Sequence, residues 1–279
     1  MSLLEDKLKQ NMQGDDSFLY HYTSLSSACK ILENGSLRLS NLTNTNDPLE
    51  FISPEDLGFT YWGNSIDYKK VLHELYLAGQ KRKNYVRMLC FCKDLFCTPD
   101  EWKNEKNQDF ADNLLFKGWA RSRMWAQYAD NHSGVCLVFY KEEFQKSFNA
   151  LANENTEILL DRAIDYTNYL TELETSMADI NSGKRTVDDY SNFYLEDDKK
   201  KFLFQKCQDY RDENEYRFCL INRALNSPDE AMFVNYGTSL KAVILGQKFS
   251  TSLNLATPNN VEQFKIMWTF GRPSLLKIR

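Results

Sequence analysis

The stretch Phe18-Leu19-Tyr20-His21-Tyr22-Thr23-Ser24 decides how the rest of this chain is read. Aromatics at 18, 20 and 22 alternate with Leu19, His21 and Thr23, and side chains of a strand alternate between its two faces. His21 and Thr23 therefore share a face, and each offers a polar group able to hold a sugar hydroxyl or an amide. A helix follows at once. Ser24 is placed to cap it, Leu25, Ala28, Cys29 and Leu32 recur at helical spacing, and Asn34-Gly35 supplies the left-handed exit. Leu37-Arg38-Leu39 then alternates again. The unit reads as strand, polar exit, short helix, turn, strand.

Later segments extend the pattern. Ile66 to Gln80 reads as an amphipathic helix and Tyr85 to Cys92 as a buried strand, while Thr98 to Asn113 is charged and reads as an exposed loop. Asn41 to Pro48 is dense in turn formers, and Pro48 biases Asp47 away from helix. Trp119 to Tyr128 reads as helix, Asn131 to Gly134 as a turn and Val135 to Tyr140 as a strand. Lys141 to Asp209 is mostly helical and polar, with a strand near Ala163 to Tyr166. Glu215 to Ile221 alternates cleanly, with Tyr216, Phe218 and Leu220 opposite Glu215, Arg217, Cys219 and Ile221. Shorter strands are expected at Ala231 to Val234, Leu240 to Leu245 and Phe264 to Thr269. Strands and helices do not alternate regularly, which argues against a doubly wound parallel sheet and favours a mixed α+β fold with helical insertions. Residues 1–17 read as a polar lead-in and 18–279 as a single domain.

Composition narrows the classes. A hydrophobic share of 42% with 18 Phe, 15 Tyr and 5 Trp belongs to a folded chain rather than a disordered one. A net charge of −5 argues against a broad nucleic-acid surface, leaving room for a local basic groove near Lys117, Arg121 and Arg123. No run reaches the roughly 18 apolar residues that span a bilayer, and the N-terminus lacks the apolar core of a signal peptide. The seven cysteines sit mainly in apolar runs, and Cys90-x-Cys92 has no matching pair for zinc, so a reducing cytoplasm without a metal is expected. Neither a glycine-rich phosphate loop nor G-x-S-x-G nor H-E-x-x-H occurs.

Three constellations could carry chemistry. His21 with Thr23 could position a ligand, or His21 could simply satisfy a backbone group at a strand end. Glu213-x-Glu215-x-Arg217 could steady a developing cation and orient a nucleophile, or could be a salt-bridged strand start neutralised by Arg217. Trp125 and Tyr128 share a helix face ahead of His132-x-Gly134, and that face could stack on a heterocycle or belong to the core.

Taken in order, Tyr20-His21-Tyr22-Thr23, Asn46-Asp47-Pro48-Leu49-Glu50, Met124-Trp125-x-x-Tyr128, His132-x-Gly134 and Glu213-x-Glu215-Tyr216-Arg217 resemble a bacterial domain family of unknown function, the one numbered twenty-nine seventy-one. The likeness runs over roughly residues 18 to 250. More distantly, His21-x-Thr23 before a short helix and the Ile31-Leu32-Glu33-Asn34-Gly35-Ser36-Leu37 turn are similar to the opening of ADP-ribosyltransferases and RNA 2′-phosphotransferases. That resemblance implies a split sheet and NAD as substrate. His21 would hold a ribose, with Tyr22, Thr23, Trp125 and Tyr128 around the ligand. Glu215 would be the catalytic carboxylate and Glu213 its acceptor-side partner. The activity implied is ADP-ribosyl transfer or NAD hydrolysis in a bacterial toxin or phage-defence setting, with an unknown macromolecular acceptor. A non-catalytic sensor of nucleotides or nucleic-acid ends, and a metal-independent phosphotransferase or nuclease using His21 and His132, are the rival expectations.

Overall fold

In a computed structural model the chain is described at residues 3–9, 16–42, 84–95, 114–152, 158–167, 203–227, 229–250 and 255–278, with positions 45, 47, 73 and 77. The helix expected at Ile66 to Gln80 and the loop expected at Thr98 to Asn113 lie outside these residues. In chain order the elements are α1 (Leu3–Lys9), β1 (Phe18–Thr23), α2 (Leu25–Asn34), β2 (Ser36–Leu39), β3 (Val86–Lys93), α3 (Ser122–Tyr128), β4 (Val135–Tyr140) and α4 (Lys141–Asn149). There follow β5 (Ile158–Ala163), β6 (Asp165–Thr167), β7 (Gln205–Cys207), β8 (Glu215–Ile221), β9 (Met232–Asn235), β10 (Leu240–Leu245), β11 (Glu262–Thr269) and β12 (Arg272–Lys277).

The opening unit forms as its residues dictate. Ser24 caps α2 by accepting from Ser27 N at 3.1 Å, and Gly35 ends it at φ 65°, where a side chain would be strained. Residues Asp130, Asn131 and His132 all take positive φ before Gly134, which lets the chain reverse tightly into β4. Gly246 packs so close to this turn that a Cβ would lie 2.1 Å from the His132 carbonyl oxygen. At the far end, Phe270 and Gly271, both at positive φ, make the two-residue turn between β11 and β12.

Among the described residues, eight strands form one sheet in the order β12-β11-β10-β4-β1-β3-β8-β5. β10 and β11 pair in parallel and the other neighbours antiparallel, so the fold is α+β with a mixed sheet. Small ladders join β2 to β9 and β6 to β7. One sheet face is filled by Leu19, Phe91, Phe139 and Phe218 against Ala28 of α2 and Phe144 and Phe148 of α4. The rings of Phe91, Phe139, Phe144 and Phe218 meet edge-on at 5.0 to 5.7 Å, each pair adding about 0.5–1.5 kcal/mol beyond its buried area. The other face is divided. Tyr20, Tyr22, Trp119 and Trp125 fill one half, Met88, Cys219, Ile221 and Phe204 the other.

Three readings are corrected. Trp119 to Tyr128 is not one helix: Gly118–Ala120 is a separate 3-10 turn, Arg121 is extended, and α3 starts at Ser122. Lys141 to Asp209 is not mostly helical where it is described, since it holds β5, β6 and β7 besides α4. β5 is an edge strand, and an edge with one wet face carries polar residues that blur its alternation. Lys117 belongs to no basic groove. It is buried, with its ammonium 2.9 Å from Asp94. The N-terminal lead-in contains α1, whose Leu8 carbonyl accepts from the Trp119 indole at 3.1 Å. No helix among the described residues is long and apolar enough to cross a membrane.

Candidate active site

Neighbouring strands β1 and β3 part company early. β1 and β3 share only the pairs Leu19–Lys93 and Tyr20–Cys92, although β1 runs on to Thr23 and β3 reaches back to Val86. Residues directly opposite in a ladder share a face, so Tyr20, Cys92 and Glu215 project to one side of the sheet and His21 to the other. A flat, continuous sheet would keep them apart. Where β1 diverges from β3, a cavity of about 770 Å³ opens and collects residues of both faces. That volume lies within the range of about 300–1,000 Å³ typical of small-molecule sites.

His21, Tyr22, Thr23, Tyr128, Glu213 and Glu215 all line this cavity, and Trp125 does not. His21 reaches across the parting, its Nδ1 3.2 Å from the Cys90 carbonyl oxygen, and its ring meets Phe91 edge-on. A carbonyl only accepts, so Nδ1 carries the proton and the neutral ring keeps Nε2 as an acceptor. Burial lowers the His21 pKa, which the backbone bond partly offsets, and this favours that neutral form. The backbone contact and the cavity-facing position thus occur together. Tyr22 donates its hydroxyl to the Gly118 carbonyl at 2.6 Å and packs edge-on against Trp125. Trp125 is fully buried and gives its indole N–H to the Trp119 carbonyl, so it is a core residue behind the wall. Tyr128, the last residue of α3, stands at the cavity.

Strand β8 covers Glu215 to Ile221, the run that alternates in the sequence, and Glu213 lies outside it. Glu213 ends a 3-10 turn (Gln208–Glu213), Asn214 follows at φ 42°, and β8 begins at Glu215. Asn214 fixes this turn by donating from its side chain to the carbonyls of Lys93 and Asp94, both at 2.9 Å. The carboxylates still converge, because a residue outside the motif gathers them. Lys206 of β7 places its ammonium 2.6 Å from Glu213 and 3.2 Å from Glu215. The second Glu213 oxygen accepts from the Tyr128 hydroxyl at 2.7 Å, and the second Glu215 oxygen from Arg217 Nε at 2.7 Å. Exposure of Glu213, Glu215 and Lys206 is 3%, 4% and 4%. The solvated salt bridge expected at a strand start is instead a buried set of two carboxylates and two cations.

Burial alone would raise the Glu215 carboxyl. Arg217 and Lys206 reverse this and hold it down at about 2, so the group is ionised at neutral pH. A carboxylate whose folded pKa lies below its ordinary value of 4.5 stabilises the fold above that value. The contribution, a few kcal/mol, is lost as pH falls from about 4.5 to about 2. Urea midpoints across that window should therefore drop more steeply for the wild type than for Glu215→Gln. Parallel curves would show that Glu215 gains nothing from its two cations.

Two neighbours tie this cluster to the other motifs. The buried Asp47 carboxylate accepts from Cys207 N at 2.8 Å, anchoring the strand that carries Lys206. Of the Asn46 to Glu50 motif, only Asp47 lies among the described residues. Tyr166 of β6 accepts from Glu215 N at 2.8 Å. Lys206 escaped sequence reading because a single lysine in a polar stretch carries no periodic or motif signal. His132 contributes its carbonyl to Lys248 N at 2.9 Å and is not among the cavity-lining residues. Burial pushes the Cys92 thiol up to about 12, consistent with a small core hydrophobe. Among the described residues no cluster of His, Cys, Asp and Glu has the arrangement to hold a metal ion.

Comparison with curated proteins and with solved structures returned no match. Residues 124–218, about a third of the chain, match the family described as Protein of unknown function (DUF2971), and this segment begins within α3 and includes β4 and Glu213 to Phe218.

Proposed function

We propose that the cavity binds NAD as substrate and that the chain cleaves its nicotinamide–ribose bond, as an ADP-ribosyltransferase or NAD glycohydrolase. One observation carries this reading: His21 and Glu215, on opposite faces of one sheet, and Glu213, at the end of the 3-10 turn before β8, line a single cavity where the sheet parts. That parting supports the split-sheet likeness to ADP-ribosyltransferases. In this mechanism His21 Nε2 accepts from a ribose hydroxyl, and Tyr128 and Tyr22 flank the ligand. Glu215 accepts from the ribose 2′-hydroxyl and stabilises the oxocarbenium-like state. The C1′–N bond breaks, and its electron pair leaves with nicotinamide, which departs as a neutral ring. The reading carries with it a cytoplasmic bacterial setting in toxin action or phage defence.

Ligand linkage gives the first test. NAD or ADP-ribose at about a hundred times its dissociation constant should stabilise the fold by about 2.7 kcal/mol, raising the thermal midpoint. A midpoint unmoved by millimolar NAD, ADP-ribose and adenine nucleotides would exclude this ligand class. Nicotinamide release by the pure chain is the second test.

A specific observation favours a second reading, a sensor that binds nucleotide without turnover. Glu215 already faces two cations, which balance the charge that a transition state would need. NAD binding without nicotinamide release would decide for the sensor. The phosphotransferase or nuclease reading needs His21 and His132 together, and only His21 lines the cavity.

A further inference from the structure

A cationic acceptor would pair with a carboxylate, and both oxygens of Glu213 already accept hydrogen bonds. One accepts from the Tyr128 hydroxyl at 2.7 Å and the other from Lys206 at 2.6 Å, with the side chain 3% exposed. Among the described residues, the two carboxylates at the cavity floor face two cations, Lys206 and Arg217, and the charges of these four groups balance. A guanidinium or ammonium entering here would shed water without gaining a counterion. It would also approach the Lys206 ammonium, which bridges the two carboxylates and itself lines the cavity. A neutral hydroxyl meets no such barrier.

We propose that Lys206 sets the acceptor class: seated between Glu213 and Glu215, it reserves the transfer for a neutral oxygen nucleophile, water or a hydroxyl, and excludes guanidinium and amine acceptors. This rests on the NAD-cleavage reading. In the step, the oxygen of water or an alcohol bonds to C1′ as the C1′–N bond breaks. The bonding pair leaves with nicotinamide, and the proton of the nucleophile passes to solvent. Lys206 touches no reacting atom here and acts through Glu213, so it is a positioning residue.

The experiment incubates the full chain with NAD and either agmatine, a guanidinium probe, or methanol, a hydroxyl probe, and resolves the products by mass. The wild type should yield nicotinamide with ADP-ribose, and methyl-ADP-ribose in the methanol arm. The agmatine adduct should stay below about one hundredth of turnover. Lys206→Met frees one Glu213 oxygen and should raise the agmatine share by about tenfold or more. Lys206→Arg keeps the charge and should keep the wild-type partition. If Lys206→Met fails to fold, Lys206→Gln, neutral but still able to donate to Glu213, replaces it, and a wild-type partition in the folded neutral variant would overturn the role given to Lys206. Agmatine adduct from the wild type at the level of ADP-ribose would overturn the acceptor assignment and leave NAD cleavage standing. An absence of nicotinamide release with every acceptor would remove the cleavage reading and the acceptor assignment with it.

Discussion

Glu215→Gln is expected to lower nicotinamide release from NAD by a hundredfold or more, a loss of about 2.7–4 kcal/mol of transition-state stabilisation. The amide keeps the shape of the side chain and removes the negative charge that would face the developing cation. Since that charge acts mainly in the transition state, the NAD-induced thermal shift should be largely retained. The substitution also has a structural cost, because both Glu215 oxygens accept from cations and an amide nitrogen must now point at Lys206 or Arg217. Retained NAD binding therefore separates lost chemistry from a lost fold. His21→Ala should behave differently and weaken both binding and rate, since a hydroxyl-positioning imidazole acts in ground state and transition state alike. Nicotinamide release by Glu215→Gln at the wild-type rate would remove Glu215 from the mechanism.

Arg217→Met should destabilise the chain by about 3–5 kcal/mol, the cost of breaking a buried ion pair by removing one partner, with Lys206 left as the cation beside Glu215. Arg217 is 1% exposed, donates from Nε to Glu215 and gives Nη1 to the Leu203 carbonyl at 2.7 Å. Methionine matches much of its length and fills the space, so the loss reports charge and hydrogen bonding more than a cavity. With a urea slope of about 2–3 kcal/mol/M, the midpoint should fall by roughly 1–2.5 M. The double variant Arg217→Met, Glu215→Gln should lose less than the sum of the two singles, because removing both charges leaves neither stranded. A single-variant cost under about 1 kcal/mol would mean the pair is effectively solvated, contrary to its burial.

Local chemistry in the sequence was enough for the β1–α2–β2 unit and for β8. Each of these is specified by neighbours in the chain: a serine cap, a glycine at positive φ, and strict alternation from Glu215 to Ile221. The polar residues of the candidate site were legible for the same reason, since His21 and Glu215 interrupt runs that otherwise alternate cleanly. Burial was not legible. Trp125 and Tyr128 lie three apart on one short helix, yet the first is core and the second stands at the cavity. The break at Arg121 lets the Trp119 carbonyl capture the Trp125 indole, and no periodicity records such a break.

The site itself is a tertiary product. Alternation assigns His21 and Glu215 to strands but not to faces of a common sheet, and strand order is set by pairings between residues far apart in the chain. Three decisions were made there. β3 lies between β1 and β8, β1 leaves β3 after two pairs, and β7 delivers Lys206 to both carboxylates. The charge of Glu215 was written in the sequence. Its two cations, Lys206 and Arg217, came to it only with folding, because a buried carboxylate persists only where the fold supplies its partners.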